Sequence, residues 1–325
     1  MPAGILAMGG HVPPDVVGND TIAAWADTTP AWIETRTGVL ERRWAAPETP
    51  TSELALAAVR DLLRTSPAAL DDLGAIIVAT STPDQPQPST AVIVQDLLAA
   101  APVPAWDVNA VCSGFLYSLV MGAALVKDGG APVLIVGADK YSSIVDGTDR
   151  RTVSLFGDGG GAVVLGDVPE GYGLRASRLA AHGRHRAYVE VVGGGTRRPL
   201  DTSGLAVGDH LFRMQGRPVR DYLFQVLPGM IHDVLDDAGM KVGDVDRFIF
   251  HQANPRLLQE LSRDLGIDPG KMPLTADWFG NTGAASVPLT LWHSDTTRPL
   301  ERGEQVLLAS VGGGMTAAAA VMTWY

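Results

Sequence analysis

The sequence predicts an α/β protein, a five-layered α/β/α/β/α sandwich built from two duplicated halves, and three observations carry that prediction. Asp61–Ala79 (DLLRTSPAALDDLGAIIVA) recurs in pattern as Asp233–His251 (DVLDDAGMKVGDVDRFIFH), a shift of 172 residues. Val133–Asp139 (VLIVGAD) pairs with Val306–Gly312 (VLLASVG) at a shift of 173. Short apolar runs alternate with helical patterns throughout, as expected for mixed sheets covered by helices on both faces. The boundary is expected near Gly166–Gly173, giving an N-terminal half over 1–168 and a C-terminal half over 169–325.

Taken along the chain, strands are expected at Ile76–Ala79, Val133–Val136, Ala162–Leu165, Phe248–Phe250, Val306–Ala309 and Ala319–Met322, each a short apolar run. Helices are expected over Thr51–Arg64, Ala91–Ala99, Ser113–Val126, Arg220–Asp237 and Pro255–Leu265. The Ser113–Val126 helix carries Phe115, Leu116, Leu119, Val120, Ala123 and Ala124 around most of its circumference, so it should be buried. Its Gly122-Ala123-Ala124 run invites close approach by another helix. The stretch His182–Asp209, rich in arginine, glycine and polar residues, reads as an excursion at the start of the second half.

Composition narrows the function. Of 325 residues, 46% are apolar and 19% charged, which implies a sizeable core rather than disorder. The formal charge of -11 argues against nucleic acid or an anionic membrane as the main partner. The N-terminus lacks the basic flank of a signal peptide, and no long uninterrupted apolar stretch reads as a membrane span. One cysteine permits neither an intrachain disulfide nor a cysteine-based zinc cage, which suits a reducing cytoplasmic setting.

That cysteine is the first candidate. Cys112 stands at the start of the apolar helix, where the positive end of the helix dipole and free N–H groups favour thiolate. His251 ends an apolar strand and opens His251-Gln252-Ala253-Asn254-Pro255-Arg256, a position suited to projecting into a cleft. Asn281 lies in Gly280-Asn281-Thr282-Gly283, and the repeat shift carries Cys112 to position 284, inside the same segment. Two glycine runs, Gly157–Gly161 and Gly312–Gly314, fit neither phosphate-binding pattern and could instead bring N–H groups to a ligand. No G-x-S-x-G elbow is present, which speaks against a serine hydrolase.

Together, Ala110-Val111-Cys112-Ser113-Gly114-Phe115, Phe156-Gly157-Asp158-Gly159, His251-Gln252-Ala253-Asn254, Gly280-Asn281-Thr282 and Gly312-Gly313-Gly314 resemble the β-ketoacyl-acyl-carrier-protein synthase III family, of the thiolase fold. The resemblance spans essentially the whole chain. It implies that Cys112 takes an acyl group from acyl-coenzyme A, with the N–H groups of Cys112 and Gly313 as oxyanion hole. His251 and Asn281 would then stabilise the enolate formed as a malonyl thioester (malonyl-ACP or malonyl-CoA) loses carbon dioxide. No metal or redox cofactor is implied. Trp32, Arg36, Thr37 and Arg151 resemble the family's nucleotide contacts, and Asn254 its pantetheine contact. Arg256, with Arg217, Arg220 and Arg213, resembles a basic patch for an acidic acyl carrier protein. A homodimer is expected on the same ground.

The chain departs from fatty-acid members at Gln87, Arg220 and the segment after Thr316, all near substrate or carrier surfaces. Polyketide or other specialised biosynthesis is therefore the expected setting. Two other readings remain: an acyltransferase of the same fold that moves the acyl group without decarboxylation, and a non-catalytic partner subunit. The second fits poorly with an intact Cys112 and His251.

Overall fold

The computed structural model describes all residues, Met1–Tyr325. Nine strands build two sheets: β1 (Ala3–His11), β2 (Ala75–Ala79), β3 (Ala105–Val108), β4 (Val133–Lys140), β5 (Asp158–Asp167), β6 (Gly173–Ala181), β7 (Arg247–Phe250), β8 (Gln305–Gly312) and β9 (Thr316–Thr323). The first sheet runs β1-β5-β4-β2-β3 and the second β6-β9-β8-β7. In both, the pair nearest the edge helices is parallel (β2 with β4, β7 with β8) and the hairpin that follows is antiparallel. The second sheet therefore repeats the first without a counterpart of β3. The layered, duplicated α/β architecture expected from the repeat is present.

Seven helices complete the layers: α1 (Pro30–Thr37), α2 (Thr51–Thr65), α3 (Thr90–Leu97), α4 (Gly114–Gly129), α5 (Gly216–Asp237), α6 (Pro255–Asp264) and α7 (Ser286–Thr297). Side-chain alternation assigns the faces. On β4, Val133 and Ile135 join the central core while Leu134, Val136 and Ala138 face the α2–α3 layer. On β8, Val306 and Leu308 point to the centre, and Leu307 and Ala309 to the α5–α6 layer. The central layer is α4 with α7, whose Phe115, Leu116, Leu119, Val287 and Leu291 are buried between the sheets. A fourth cluster, around Ile22, Ile33, Tyr141, Phe156 and Phe212, caps the end of the sheets where the first half's insertions gather.

The expected burial of α4 is present: the segment Val111–Gly129 is long and apolar enough to cross a membrane by length and composition, yet it is the central helix of the sandwich. Of the six apolar residues that carried the expectation only Ala124 is exposed, beside Met121 and Leu125 at 40% each. One expectation about α4 needs correction. Gly122 admits the sheet rather than a helix, since a Cβ there would lie 2.7 Å from Ile135 Cδ1.

The glycine run in Gly157–Gly161 also has a packing cause. It lies mostly inside β5, fully buried, with a helix on each face. A Cβ at Gly160 would lie 2.5 Å from Leu54 O of α2, and one at Gly161 would lie 2.7 Å from Leu289 N of α7. Both neighbours are helix backbone, which cannot swing aside. Gly160→Ala is therefore expected to destabilise by about 1–3 kcal/mol or more through overpacking. Gly147→Ala, where a Cβ meets nothing within 4 Å, should stay within about 0.5 kcal/mol of the parent. Urea unfolding midpoints of the two variants check this.

Candidate active site

Cys112 sits in a short 3-10 turn, Val111–Ser113, that leads into α4. The residue before it, Val111, has φ 50°, a left-handed conformation that a β-branched residue adopts only under constraint. The second half supplies that constraint. Ser310 Oγ on β8 donates to the Cys112 carbonyl at 2.8 Å, and Thr316 Oγ1 donates to the Ala110 carbonyl at 3.0 Å. A Cβ on Gly312 would lie 2.8 Å from both Ala110 O and Ser113 N, so only glycine lets β8 end against the cysteine turn. Gly313 follows directly and packs on Val111, which brings its backbone to the same turn as the Cys112 N–H. The oxyanion pair suggested by the sequence is thus made of two adjoining backbone segments, one from each half.

His251 leaves β7 beside the same strand: its N–H donates to Ala309 O at 2.8 Å, one residue from Ser310. Asn281 is held between Leu155 and Gly157, donating its N–H to Leu155 O at 2.8 Å and accepting from Gly157 N at 3.0 Å. Its side-chain Oδ1 accepts from Gly283 N at 3.0 Å. With the oxygen so used, the amide NH₂ is the group left to offer. Three residues after Asn281, Ala284 N donates to the buried carboxylate of Asp139 at 2.7 Å, and the charge of that carboxylate acts on Cys112. Cys112, His251 and Asn281 are 8%, 6% and 5% exposed, and the backbone contacts just described bring their three segments together.

Burial sets their charges. Desolvation, followed by the Asp139 carboxylate, pushes the Cys112 thiol up to about 12. The helix-start position was expected to favour thiolate, and in the free protein burial outweighs it. Desolvation alone holds His251 down to about 3, so the ring is neutral at pH 7. Its Nδ1 is buried and finds no hydrogen-bond partner in the chain, so no carboxylate orients it as in a Ser-His-Asp triad. The resting pair is thiol and imidazole, both uncharged.

A cavity of about 490 Å³, within the usual size for small-molecule sites, borders Asn281; neither Cys112 nor His251 is among its lining residues. Trp32, Thr37, Arg151, Asn254 and Asn281 all line it, as do Arg217 and Arg220. Arg36 and Arg256 are exposed near its edge and do not line it. The cation over the Trp32 ring is Arg150, with its guanidinium carbon 4.9 Å from the ring centroid. Arg151 instead pairs with Asp149 at 2.8 Å on an exposed surface. Asn254 has a structural duty as well, capping α6 by accepting from Leu257 N at 3.1 Å. The arginine patch is less free than its sequence suggests. Arg213 pairs with Asp209 and Arg220 with Glu260, whereas Arg217 lies 3.9 Å from Asp221 and Arg256 meets only Gln259.

Sequence reading missed Asp139, Tyr141, Arg150 and Ser310. Asp139 lies near the end of β4 and Tyr141 just after it, in Gly137-Ala138-Asp139-Lys140-Tyr141, where polar residues closing an apolar strand were a usable signal. Ser310 and Arg150 carry no signal outside the fold.

Two outcomes follow from this geometry. Gly312→Ala should abolish acylation of Cys112 while the protein still folds, read by intact mass and circular dichroism. Alkylation of Cys112 by iodoacetamide should rise about tenfold per pH unit from 7 to beyond 10, because the thiol ionises only near 12. A plateau near pH 8 contradicts it. The same displacement bears on stability: the unfolded chain loses this proton near 9.0 and the native protein near 12. The contribution is therefore complete below pH 9 and is lost as pH rises through 12.

Comparison with known proteins shows the family to which the chain belongs. The profile for the 3-oxoacyl-[acyl-carrier-protein] synthase III family matches residues 106–183, and the profile for that family's C-terminal region matches residues 235–324. The chain is 43% identical to the acetoacetyl CoA synthase NphT7 of a Streptomyces species over 98% of both chains. It is 40% identical to a β-ketoacyl-[acyl-carrier-protein] synthase III of Streptomyces coelicolor, over 98% of this chain and 96% of that one. The solved structure of the Thermus thermophilus synthase III superposes with a TM-score of 0.92 at 40% identity, covering 99% of each. A priming β-ketosynthase from a polyketide pathway superposes at 0.91 with 27% identity, over 99% of this chain and 96% of that one. The chain belongs to the β-ketoacyl-[acyl-carrier-protein] synthase III family, a family of thiolase-fold acyltransferases.

Proposed function

We propose that this enzyme condenses a short acyl group, taken from acyl-coenzyme A onto Cys112, with a malonyl thioester. The observation that supports this is a buried thiol, a neutral imidazole and a free amide NH₂ on adjoining segments, with the amide bordering a cavity lined by Trp32 and Arg151. In the first step Cys112 Sγ adds to the thioester carbonyl. The N–H groups of Cys112 and Gly313 hold the oxyanion, and coenzyme A leaves with the proton. In the second step the malonyl carboxylate leaves as carbon dioxide, and the electron pair moves into the thioester as an enolate. The uncharged imidazole N–H and the Asn281 amide donate to that oxygen. The enolate carbon then attacks the acyl-Cys112 carbonyl, releasing a 3-ketoacyl thioester and the Cys112 thiolate. Two neutral donors suit an oxygen whose charge is transient, so no metal or redox cofactor enters this reading.

A second cavity of about 200 Å³ supports a short acyl group. It is lined by Val111, Tyr141, Val189 and Phe212, and Val111 adjoins the nucleophile. Trp32 with Arg150 offers a stacking surface for adenine, and Arg217 and Arg256 remain the arginines best placed for an acidic carrier protein. We read the unpaired edge of β3, with exposed Val92 and Leu97 nearby, as the face a second copy covers to form a homodimer. With acyl thioesters as substrates and one reduced cysteine, the cytoplasm is the fitting compartment.

The test is intact mass after brief incubation with a panel of acyl-coenzyme A thioesters, followed by a malonyl thioester chase. One acyl mass should appear on the parent and not on Cys112→Ala, and the chase should remove it with one carbon dioxide per product. Loss of the acyl group without carbon dioxide would establish the simple acyltransferase instead. Trp32→Ala should raise KM for the acyl-coenzyme A by about tenfold, with kcat little changed, as loss of a stacked aromatic contact predicts.

A further inference from the structure

Gln252 follows His251 directly and has no part in the condensation as described so far. It lies between the end of β7 and the start of α6 and is 1% exposed. Backbone groups fill all four hydrogen-bonding places of its amide. Nε2 donates to Phe250 O at 3.0 Å and to Pro273 O at 3.3 Å. Oε1 accepts from Thr275 N at 2.9 Å and from Ala276 N at 3.4 Å. Two carbonyls face the NH₂ and two N–H groups face the oxygen, so only one orientation of the amide fits. The backbone N–H of Gln252 adds a bond to Ser286 Oγ at 2.7 Å, where α7 begins.

These bonds lead to Asn281. Ala276–Phe279 form one helical turn, with Thr275 just before it. The bonds that close the turn return to the same two residues. Phe279 N donates to Thr275 O at 2.8 Å, and Gly280 N donates to Ala276 O at 3.1 Å. Gly280, at φ 73°, then turns the chain into Asn281. A Cβ on Gly280 would lie 2.8 Å from Arg42 Cβ and 2.9 Å from Leu155 O, so this end of the turn is closely seated. One amide therefore grips both the peptide bond ahead of His251 and the turn ahead of Asn281. His251 needs such a hold. Its Nδ1 is buried without a partner, so the ring takes its place from the backbone that carries it.

We propose that Gln252 is a positioning residue that sets the spacing between His251 and Asn281, the two donors of the enolate step. Both must reach one developing oxygen at about 2.7–3.1 Å, so a small shift of either backbone segment weakens the pair. None of the hydrogen bonds of Gln252 reaches the cysteine turn Val111–Ser113. Its influence falls on decarboxylation and not on the nucleophile.

The proposal rests on the reaction proposed above, and its test separates the two. Gln252→Met nearly keeps the shape of the side chain and removes all four amide bonds. Its kcat for carbon dioxide release from malonyl-coenzyme A should fall about tenfold or more, the scale of a misplaced catalytic group. Cys112 alkylation by iodoacetamide, which needs no thioester, should match the parent's. Amide hydrogen exchange should quicken at Thr275 and Ala276 and stay unchanged at Ser113. Ser286→Ala, which removes the acceptor of the Gln252 N–H, should lower carbon dioxide release to a smaller extent. Parental release in Gln252→Met overturns the proposal, and so does a joint fall in release and alkylation, the mark of general loosening. Should Gln252→Met fail to fold, parental release in Ser286→Ala overturns it. A parent that releases no carbon dioxide defeats the reaction itself, and unchanged exchange at Thr275 and Ala276 then overturns the hold as well.

Discussion

The site depends on one seam, where the second half clips the cysteine turn of the first. Val111 cannot hold φ 50° unaided, and Ser310 and Thr316 hold the carbonyls on either side of it. The contact is reciprocated: Asp139, at the end of β4, takes the N–H of Ala284 beside Asn281. Each half therefore fixes the other's reactive loop. The duplication explains why these loops meet, because α4 and α7 occupy equivalent places and pack together between the sheets. In the proposed reaction the nucleophile comes from one half and the enolate donors from the other.

Desolvation then decides the protonation states. The layers that hold the loops also exclude water, and exclusion acts in opposite senses on an acid and a base. It moves the thiol up and the imidazole down, which leaves both neutral at rest. A neutral imidazole suits donation to an enolate oxygen and is a poor match to a protease-like ion pair. The cost falls on the first step, where a thiolate must form in an apolar place beside a carboxylate. That cost gives the backbone N–H groups at the cysteine turn their importance.

Much of this was legible in the sequence. The repeat at 172–173 residues gave the two sheets, and the strands in the expected places extend the apolar cores by one to four residues at their ends. β1 and β6 were overlooked because Met1–His11 mixes glycine with apolar residues, and β6 alternates polar and apolar positions without a long run. Cys112, His251 and Asn281 were identifiable from their local motifs, because each sits where an element changes type. Arg150 was not, because two adjacent arginines at one helix start differ only in the direction each side chain takes. The glycine runs looked alike in sequence and have different causes, helix approach in β5 and loop docking at Gly312. Such distinctions live in the packing between distant segments, which a one-dimensional pattern does not record.

The central claim is that Cys112 of the first half and Asn281 with His251 of the second serve two separable half-reactions. The most direct measurement compares Cys112→Ala and Asn281→Ala in both: acyl transfer from acyl-coenzyme A to protein, and carbon dioxide release from a malonyl thioester. The account predicts that Cys112→Ala loses acylation and still decarboxylates, while Asn281→Ala accepts the acyl group and loses decarboxylation. Loss of both half-reactions in both folded variants would contradict it.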